Sequence, residues 1–429
     1  MSTLTVFLEH HQKQLHVGEL VFERGVSHIS LAPEFVGLNL NLSPFKLAHN
    51  SEIQTAPRHP FSGLHGIFAD SLPDGWGMVL MDRHLTANGL NPHQITAAQR
   101  LAYIGNKAMG ALTYQPSTGP DGNNAQLLDL NHLAQEAVEI YQGSSSEVSE
   151  QLHLIGGSPG GARPKAIIGL NQDKAIAGHN DLPAHFHHWL VKFPTPPIGG
   201  QTTSSPAHLF EGAIEYVYAQ MAQNAGIDIP PVQLIAARNN AGYFAIKRFD
   251  RQTESNKNFH NRKVHMHTLA GLIHADFRLP DCDYEILLRA TNALTKSIND
   301  CQQVIIRMIF NIIAGNKDDH TKNFSYLMDE DGQWQLSPAY DLTFNHGING
   351  HHSMAISGQG NNIEKAAIQK VAKLINMPQS QLNQLIKQVS DALSQFETLA
   401  RQQQIPPQHI KPIADYIGEQ IRRLNTTQV

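Results

Sequence analysis

The stretch Ala314-Gly-Asn-Lys-Asp-Asp-His-Thr-Lys-Asn-Phe324 decides how the rest of the chain is interpreted. It places a carboxylate at Asp318 and an amide at Asn323, and a second carboxylate follows at Asp341. Two short apolar runs between Asn323 and Asp341 flank Asp329-Glu-Asp-Gly332, and an Asp-Gly pair in this setting is typical of a hairpin turn. We therefore expect a hairpin that returns Asp341 toward Asn323.

These side chains meet the needs of phosphoryl transfer, in which the protein positions the reactants and neutralises charge. Asp318 would accept the proton of an attacking hydroxyl, and the oxygens of Asn323 and Asp341 would hold magnesium. The step of five between the base and the amide is the one found in kinase catalytic loops. His320 and Lys322 lie on the same loop, where a cation would steady the transferring group.

The composition sets the broad class. At 429 residues, with 41% hydrophobic residues, the chain predicts two to three domains or lobes. A net charge of -5 argues against a broad basic face for bare nucleic acid. The two cysteines, Cys282 and Cys301, fit no zinc or redox spacing, so we expect buried thiols in a reducing compartment. Without a secretory pattern at the N-terminus, the expected location is cytoplasmic.

Three regions are expected along the chain. Residues 1–120 form a strand-rich N-terminal subdomain, residues 121–250 a smaller region with a glycine-rich loop, and residues 251–429 a helical region that carries the catalytic and magnesium loops. Stretches rich in Gly, Pro, Asn and Ser at 117–124 and 143–146 bracket the first boundary. Asp70 and Asp74, each close to Pro73 or Gly75, are interpreted as cap or turn residues.

Four glycines join two apolar runs in Leu152-His-Leu-Ile-Gly-Gly-Ser-Pro-Gly-Gly-Ala-Arg-Pro-Lys-Ala-Ile-Ile168. The stretch does not fit the P-loop pattern, because no Lys-Ser or Lys-Thr follows the glycines. We expect a glycine loop between two strands that lies over phosphate groups, although glycines also simply turn a chain. The residues expected to contact the nucleotide here are Gly160, Gly161, Ala162, Arg163 and Lys165.

Downstream residues complete a nucleotide site. Lys192 lies inside an apolar run, either to hold the α and β phosphates or to face water from an edge strand. Glu215, or Glu211, on the predicted helix at 207–226 could pair with it. A hinge with backbone groups for adenine is expected at Lys247, Arg248 and Phe249.

The 25 histidines raise a second possibility, a metal-dependent hydrolase. None of them forms a His-Glu-x-x-His motif or another spacing that puts ligands on one helical face. The joint order of glycine loop, strand lysine, helix glutamate, hinge, Asp-x4-Asn loop, hairpin and aspartate favours the kinase interpretation instead.

The chain resembles the HipA-type serine/threonine kinases, the toxins of bacterial toxin–antitoxin modules. The resemblance is carried by the loop Gly315-Asn-Lys-Asp-Asp-His-Thr-Lys-Asn-Phe-Ser325 and by Tyr340-Asp341, Lys247-Arg-Phe-Asp-Arg251, Val191-Lys-Phe-Pro194 and Leu72-Pro-Asp-Gly75. It implies an α+β, two-lobed protein-kinase-like fold with an extra strand-rich N-terminal subdomain. ATP and Mg²⁺ are the implied cofactors, with Asp318 as the base and Tyr340 beside the nucleotide.

The resemblance also implies regulation and partners. Ser158, seven residues before Lys165, corresponds to a serine that the family autophosphorylates. A phosphate there would bring close to two negative charges into the loop and silence the enzyme. The implied partners are a helix-turn-helix antitoxin, operator DNA reached through it, and a protein substrate such as an aminoacyl-tRNA synthetase. Two alternatives stay open: a small-molecule kinase of the same fold, and a catalytically idle co-repressor.

Overall fold

The fold is that of a computed structural model. The structure describes residues 2–11, 13–120, 127–145, 147–156, 161–172, 174–177, 182–183, 185–196, 207–238, 241–253 and 261–425. No helix in these ranges is long and apolar enough to cross a membrane.

The first half of the chain alternates strands and short helices. In chain order the elements up to residue 208 are β1 (Ser2–His10), β2 (Lys13–Glu23), β3 (Val26–Leu31), α1 (Pro33–Val36), β4 (Gln54–Thr55), α2 (Gly66–Ala69), α3 (Gly75–Ala87), α4 (Ala97–Ile104), β5 (Leu112–Gln115), α5 (Leu130–Gln142), α6 (Glu150–Ile155), β6 (Lys165–Asn171), β7 (Lys174–Ala177) and β8 (His187–Lys192).

The second half is mostly helical. Its elements are α7 (Glu211–Asn224), β9 (Val232–Ile235), β10 (Tyr243–Lys247), β11 (Arg251–Thr253), β12 (Asn261–Lys263), β13 (His265–Thr268), α8 (Leu269–Ile273), α9 (Tyr284–Thr295), α10 (Ile298–Ala314), β14 (Ser325–Met328), β15 (Trp334–Leu336), α11 (Lys365–Lys373), α12 (Gln379–Leu393), α13 (Phe396–Gln402) and α14 (Pro407–Asn425).

The described chain divides into two compact units. Unit 1 comprises Met1–His208, Ala245–His274 and Tyr326–Gln333, and unit 2 comprises Leu209–Phe244, Ala275–Ser325 and Trp334–Val429. The three-region division expected at about residues 120 and 250 stays a prediction.

Unit 1 contains the expected N-terminal strands. Five strands pair in the order β4-β3-β2-β1-β5, and β1 is antiparallel to both β2 and β5. Every second residue of β1 from Leu4 to Leu8 is buried, which is the alternation of a sheet with one covered face. A second antiparallel group contains β7, β6 and β8, and Lys165 of β6 lies opposite Lys192 of β8.

One expectation in unit 1 was wrong. The apolar run before the glycines forms helix α6 and not a strand. Ser149 caps this helix by accepting a hydrogen bond from the Leu152 N–H, and Leu152, Leu154 and Ile155 are buried. A short apolar run does not distinguish a strand from one buried helical face, so the capping serine decides the outcome.

Unit 2 is built around helix α10, which has 17 residues. Ser297 caps its start by accepting from the Asp300 N–H, and almost every residue from Cys301 to Ala314 is buried. Helices α9, α12 and α14 pack around it. Both cysteine thiols are free and buried, as expected, and burial raises the pKa of each to about 11.

Candidate active site

The Asp318 loop is carried on the end of α10. The helix ends at Gly315, whose φ of 69° is the left-handed conformation that glycine adopts most easily. A Cβ atom at this position would lie 2.7 Å from the Tyr416 ring and 2.8 Å from the Phe344 ring, so a larger residue would displace them. The rigid end of a buried helix therefore sets where residues 316–318 begin.

Hydrogen bonds close the loop on itself. The Asn323 side-chain nitrogen donates to the Asp318 carbonyl oxygen at 2.7 Å, and the Asn323 N–H donates to the His320 carbonyl at 2.9 Å. Residues Thr321–Asn323 form a 3₁₀ turn. Because the amide nitrogen is engaged inside the loop, the amide oxygen of Asn323 is the candidate ligand atom.

The hairpin brings Tyr340 back to this loop, and Asp341 follows Tyr340 in the chain. The Ser337 N–H donates to the Ser325 carbonyl at 2.9 Å, and the Asp329 carboxylate accepts N–H groups within the turn. The Tyr340 hydroxyl then donates to the Lys322 carbonyl at 2.7 Å. Asp341 adopts a φ of 59°, a conformation that aspartate tolerates better than most residues, and such outliers occur often at functional sites.

Two side chains of the loop, His320 and Lys322, share an aromatic neighbour. The Phe277 ring lies 5.3 Å from the His320 ring, and the Lys322 Nζ lies 4.7 Å from its centroid. Arg278 also lies over this ring, at 4.5 Å. A cation over a ring face is attracted to it. The Phe277 ring therefore contacts two side chains of the catalytic loop, His320 and Lys322.

In unit 1, helix α3 holds the end of the glycine loop. The Gly161 N–H donates to the Asp74 carboxylate, and the Trp76 N–H donates to the Gly161 carbonyl at 3.1 Å. The Trp76 indole also donates to the Lys165 carbonyl at 3.0 Å. A Cβ at Gly75, whose φ is 45°, would lie 2.5 Å from the Gly161 carbonyl oxygen. The Leu-Pro-Asp-Gly segment thus fixes the loop at the point where β6 begins.

The two predicted phosphate lysines are neighbours. Lys165 and Lys192 face each other across β6 and β8 and are 3% and 8% exposed, so neither is the water-facing edge lysine considered as an alternative. Glu215 is buried on α7 in unit 2. Ala162 and Arg163 follow Gly161 directly, whereas Gly160 and Ser158 lie outside the described residues.

Part of the expected hinge is already engaged in hydrogen bonds within the protein. The Arg248 N–H donates to the His188 carbonyl at 2.9 Å, so this donor is not available to adenine, contrary to expectation. Its guanidinium is buried against Asp250. The adenine contacts expected from the backbone of Lys247 and Phe249 stay a prediction.

The donor set fits magnesium held jointly with phosphate. Within the described residues, no three His, Cys, Asp or Glu side chains form a cluster that could hold a metal. Mg²⁺ is usually bound by one or two protein oxygens together with substrate phosphates and water. Asn323, whose amide nitrogen is hydrogen-bonded, and Asp341, which follows Tyr340, are the two candidates for such oxygens.

Several important residues were missed from sequence. Asp319 is buried and hydrogen-bonded to Tyr284 and His352, which are 35 and 33 residues away. No pattern in the sequence around Asp319 indicates that Tyr284 and His352 are its partners. The contacts of Asp74 and Trp76 with the glycine loop were also missed, because Asp74 was interpreted as a cap or turn residue and Trp76 was not singled out. The signal that could have found them is the order Asp74-Gly-Trp76.

A hydrogen-bonded Ser-His-Asp chain also occurs in unit 1. The Ser43 Oγ lies 2.9 Å from His267 Nε2, and His267 Nδ1 lies 2.6 Å from the Asp70 carboxylate. Ser43 and His267 are 1% and 0% exposed, and Asp70 also accepts from the Thr268 N–H and hydroxyl. A nucleophile must reach its substrate, so this chain is a structural link and not a hydrolytic site.

Fold and site together define the class: an α+β protein of the protein-kinase-like type. The HipA-like C-terminal domain family matches residues 157–396, more than half of the chain, and the HipA N-terminal domain family matches residues 8–115. The chain therefore belongs to the HipA family.

Similar proteins agree with this assignment. The chain of the solved complex "Shewanella oneidensis MR-1 Toxin Antitoxin System HipA, HipB and its operator DNA" superposes with a TM-score of 0.70 at 15% identity, covering 98% of this chain and 96% of that one. At that identity the match shows the fold alone.

Two named relatives come from Sinorhizobium fredii (strain NBRC 101917 / NGR234). "Putative kinase Y4dM" is 28% identical over 167 residues, and "Putative kinase Y4mE" is 28% identical over 162 residues. These matches cover 36% and 34% of this chain and 36% and 37% of the relatives. The chain thus matches little more than a third of the length of either relative.

Proposed function

We propose that the chain is an ATP-dependent serine/threonine protein kinase and the toxin of a toxin–antitoxin module. The observation that carries this proposal is the loop closed by the hydrogen bond between Asn323 and Asp318. The Tyr340 hydroxyl is bonded to Lys322 of the same loop, and Asp341 is the next residue after Tyr340. Kinase chemistry requires a base, two oxygen ligands for magnesium and nearby positive charge, and this loop supplies candidates for each.

Each residue has a proposed role. The exposed Asp318 carboxylate accepts the proton of the substrate hydroxyl, while His320 and Lys322 stabilise the charge of the transferring group. In unit 1 the buried Lys165 and Lys192 bind phosphate oxygens. The pairing of Lys192 with Glu215 stays a prediction from the sequence. Magnesium, held by Asn323 and Asp341, would neutralise the phosphate charge.

Regulation and partners follow the family. We propose that Ser158 is autophosphorylated and that the phosphate silences the enzyme through its charge. The similar Shewanella oneidensis complex contains HipA, HipB and its operator DNA. By analogy, a helix-turn-helix antitoxin is the proposed partner of this chain and brings it to operator DNA. The proposed substrate is a serine or threonine of a cytoplasmic translation component such as an aminoacyl-tRNA synthetase.

The test is transfer of label from γ-labelled ATP to protein, in lysate and on the chain itself. Asp318→Asn is expected to lower transfer by about 10²-fold or more, because it removes the general base and the charge beside the reacting hydroxyl. The control is Asp391→Asn, an equally conservative change at an exposed carboxylate on α12. Intact-mass analysis should find one phosphate at Ser158 in the control and none in Asp318→Asn.

The alternatives give different results. Label found only in low-molecular-mass products indicates a small-molecule kinase. Nucleotide binding without any turnover, with unchanged growth arrest by Asp341→Asn, indicates an idle co-repressor. Transfer by Asp318→Asn at the control rate contradicts the assignment of the base.

A further inference from the structure

The two adjacent acids of the loop have opposite environments. Asp318 is exposed, whereas the Asp319 side chain is fully buried. A buried carboxylate is costly unless several donors satisfy it. In the phosphoryl-transfer scheme Asp319 has no chemical role, so its burial requires another explanation.

Three donors converge on Asp319. The Tyr284 hydroxyl lies 2.8 Å and His352 Nδ1 2.9 Å from its Oδ2, and the Ser353 N–H donates to Oδ1 at 3.0 Å. An ionised carboxylate only accepts, so His352 donates from Nδ1. Burial, together with the Asp319 charge, raises the pKa of Tyr284 well above its usual value, so its hydroxyl keeps the proton that it donates.

The donor chain continues into α10. The Asn316 side-chain nitrogen donates to the Asn311 oxygen at 3.0 Å, and the Asn311 nitrogen donates to the Tyr284 hydroxyl at 2.9 Å. With the bond from Tyr284 to Asp319, these form a chain of three hydrogen bonds that all donate in the same direction. The last bond of the chain ends on the Asp319 carboxylate. Chains of this kind polarise one another and strengthen the last bond.

The segment 345–353 holds the other side of the loop. The Lys317 N–H donates to the Asn345 carbonyl, and the Lys317 carbonyl accepts from both the N–H and the hydroxyl of Ser353. Lys317 Nζ donates to the Gly350 carbonyl at 2.9 Å. Residues 317 and 319, which flank Asp318, are therefore both tied to this segment.

We propose that Asp319 is a positioning residue, and that its hydrogen bonds to His352 and Tyr284 hold the backbone so that Asp318 meets the substrate hydroxyl. This inference rests on the proposed kinase function. It predicts a loss of turnover without a loss of nucleotide binding, because a displacement of about 1 Å of a reacting group costs on the order of 10²-fold in rate.

Two substitutions of His352 separate hydrogen bonding from packing. Asparagine has a nitrogen the same number of bonds from the backbone as Nδ1, so His352→Asn keeps the donor and loses volume. His352→Leu keeps the volume and loses the donor. We expect His352→Asn to retain kcat within about threefold and His352→Leu to lose at least ~10-fold, with KM for ATP changed less than about twofold in both. The reverse order of kcat would overturn the proposal.

A second pair tests the donor from α9. Tyr284→Phe removes a buried hydroxyl that donates to Asp319, and Tyr114→Phe removes a buried hydroxyl that bonds Ser71 in unit 1. We expect kcat to fall in Tyr284→Phe and to stay unchanged in Tyr114→Phe. Equal effects of the two changes would contradict the proposal.

Hydrogen–deuterium exchange separates this inference from the proposed function. Peptides covering 315–325 should exchange faster in His352→Leu than in His352→Asn or the wild type, whether or not the protein transfers phosphate. If the wild type is inactive but the exchange order holds, the kinase function fails, and what stands is that Asp319 anchors the loop. Equal exchange in all three proteins rejects the positioning role.

Discussion

At the scale of single residues, Asp250 shows how the fold uses a buried charge. Its carboxylate accepts from the Arg248 guanidinium at 2.9 and 2.7 Å, from Arg251 at 2.8 Å and from the Gly110 N–H at 2.7 Å. Burial alone would raise the pKa of Asp250, but the two arginines outweigh it and hold the pKa well below its usual value. Arg251 also donates to the Ala108 carbonyl, so this cluster links residues 108–110 to residues 248–251.

We predict that Asp250→Ala lowers the free energy of unfolding by about 3–5 kcal/mol, because it leaves two buried guanidinium groups without their counter-ion. The measurement is urea denaturation. Asp391→Ala, which removes an exposed ion pair with Lys387, should cost less than ~1 kcal/mol. Since the pKa of Asp250 is lower in the folded state, its contribution is present above about pH 4 and declines as the pH falls further. A cost for Asp250→Ala no larger than that of Asp391→Ala would contradict this view.

Residues of the site differed in how far the sequence revealed them. The spacing of Asp318, Asn323 and Asp341 was readable because the loop and the hairpin turn are local. The role of Asp319 could not be predicted, because it depends on hydrogen-bond donors from two distant segments of the chain. A sequence shows which side chains are present, whereas burial decides which of two neighbouring aspartates faces the solvent.

At the scale of elements, helix α3 controls the glycine loop of the same unit. The Asp74 carboxylate accepts the Gly161 N–H at the start of α3, and Trp76 bonds both Gly161 and Lys165. Sequence patterns assigned the apolar run of α6 wrongly to a strand, because a six-residue helix has too few turns to show a period.

We predict that Asp74→Ala weakens ATP binding by about 5- to 10-fold, corresponding to the loss of one hydrogen bond to a charged acceptor. Asp74→Asn keeps an acceptor oxygen and should bind ATP within about twofold of the wild type. The measurement is titration calorimetry with a non-hydrolysable ATP analogue and magnesium. Equal affinities for Asp74→Ala and Asp74→Asn would show that this contact does not matter for binding.

At the scale of the whole molecule, nucleotide and metal should act on stability together. A ligand at one hundred times its Kd stabilises a folded protein by about 2.7 kcal/mol. We predict that ATP with Mg²⁺ raises the melting temperature of the wild type more than ATP with EDTA does. Asp341→Asn, which weakens one proposed metal oxygen, should reduce that difference while keeping the shift due to ATP alone. An unchanged magnesium increment in Asp341→Asn would remove Asp341 from the metal site.

The buried Ser43, His267 and Asp70 chain has a consequence for how enzymes are recognised. Its two spacings, 2.9 and 2.6 Å, satisfy a template for serine hydrolases built on distances alone. Fluorophosphonate probes, which report reactive serines by chemistry, require solvent access that Ser43 lacks. Template searches that omit accessibility will therefore count this kind of fold-stabilising chain among the hydrolases, and chemical profiling will not.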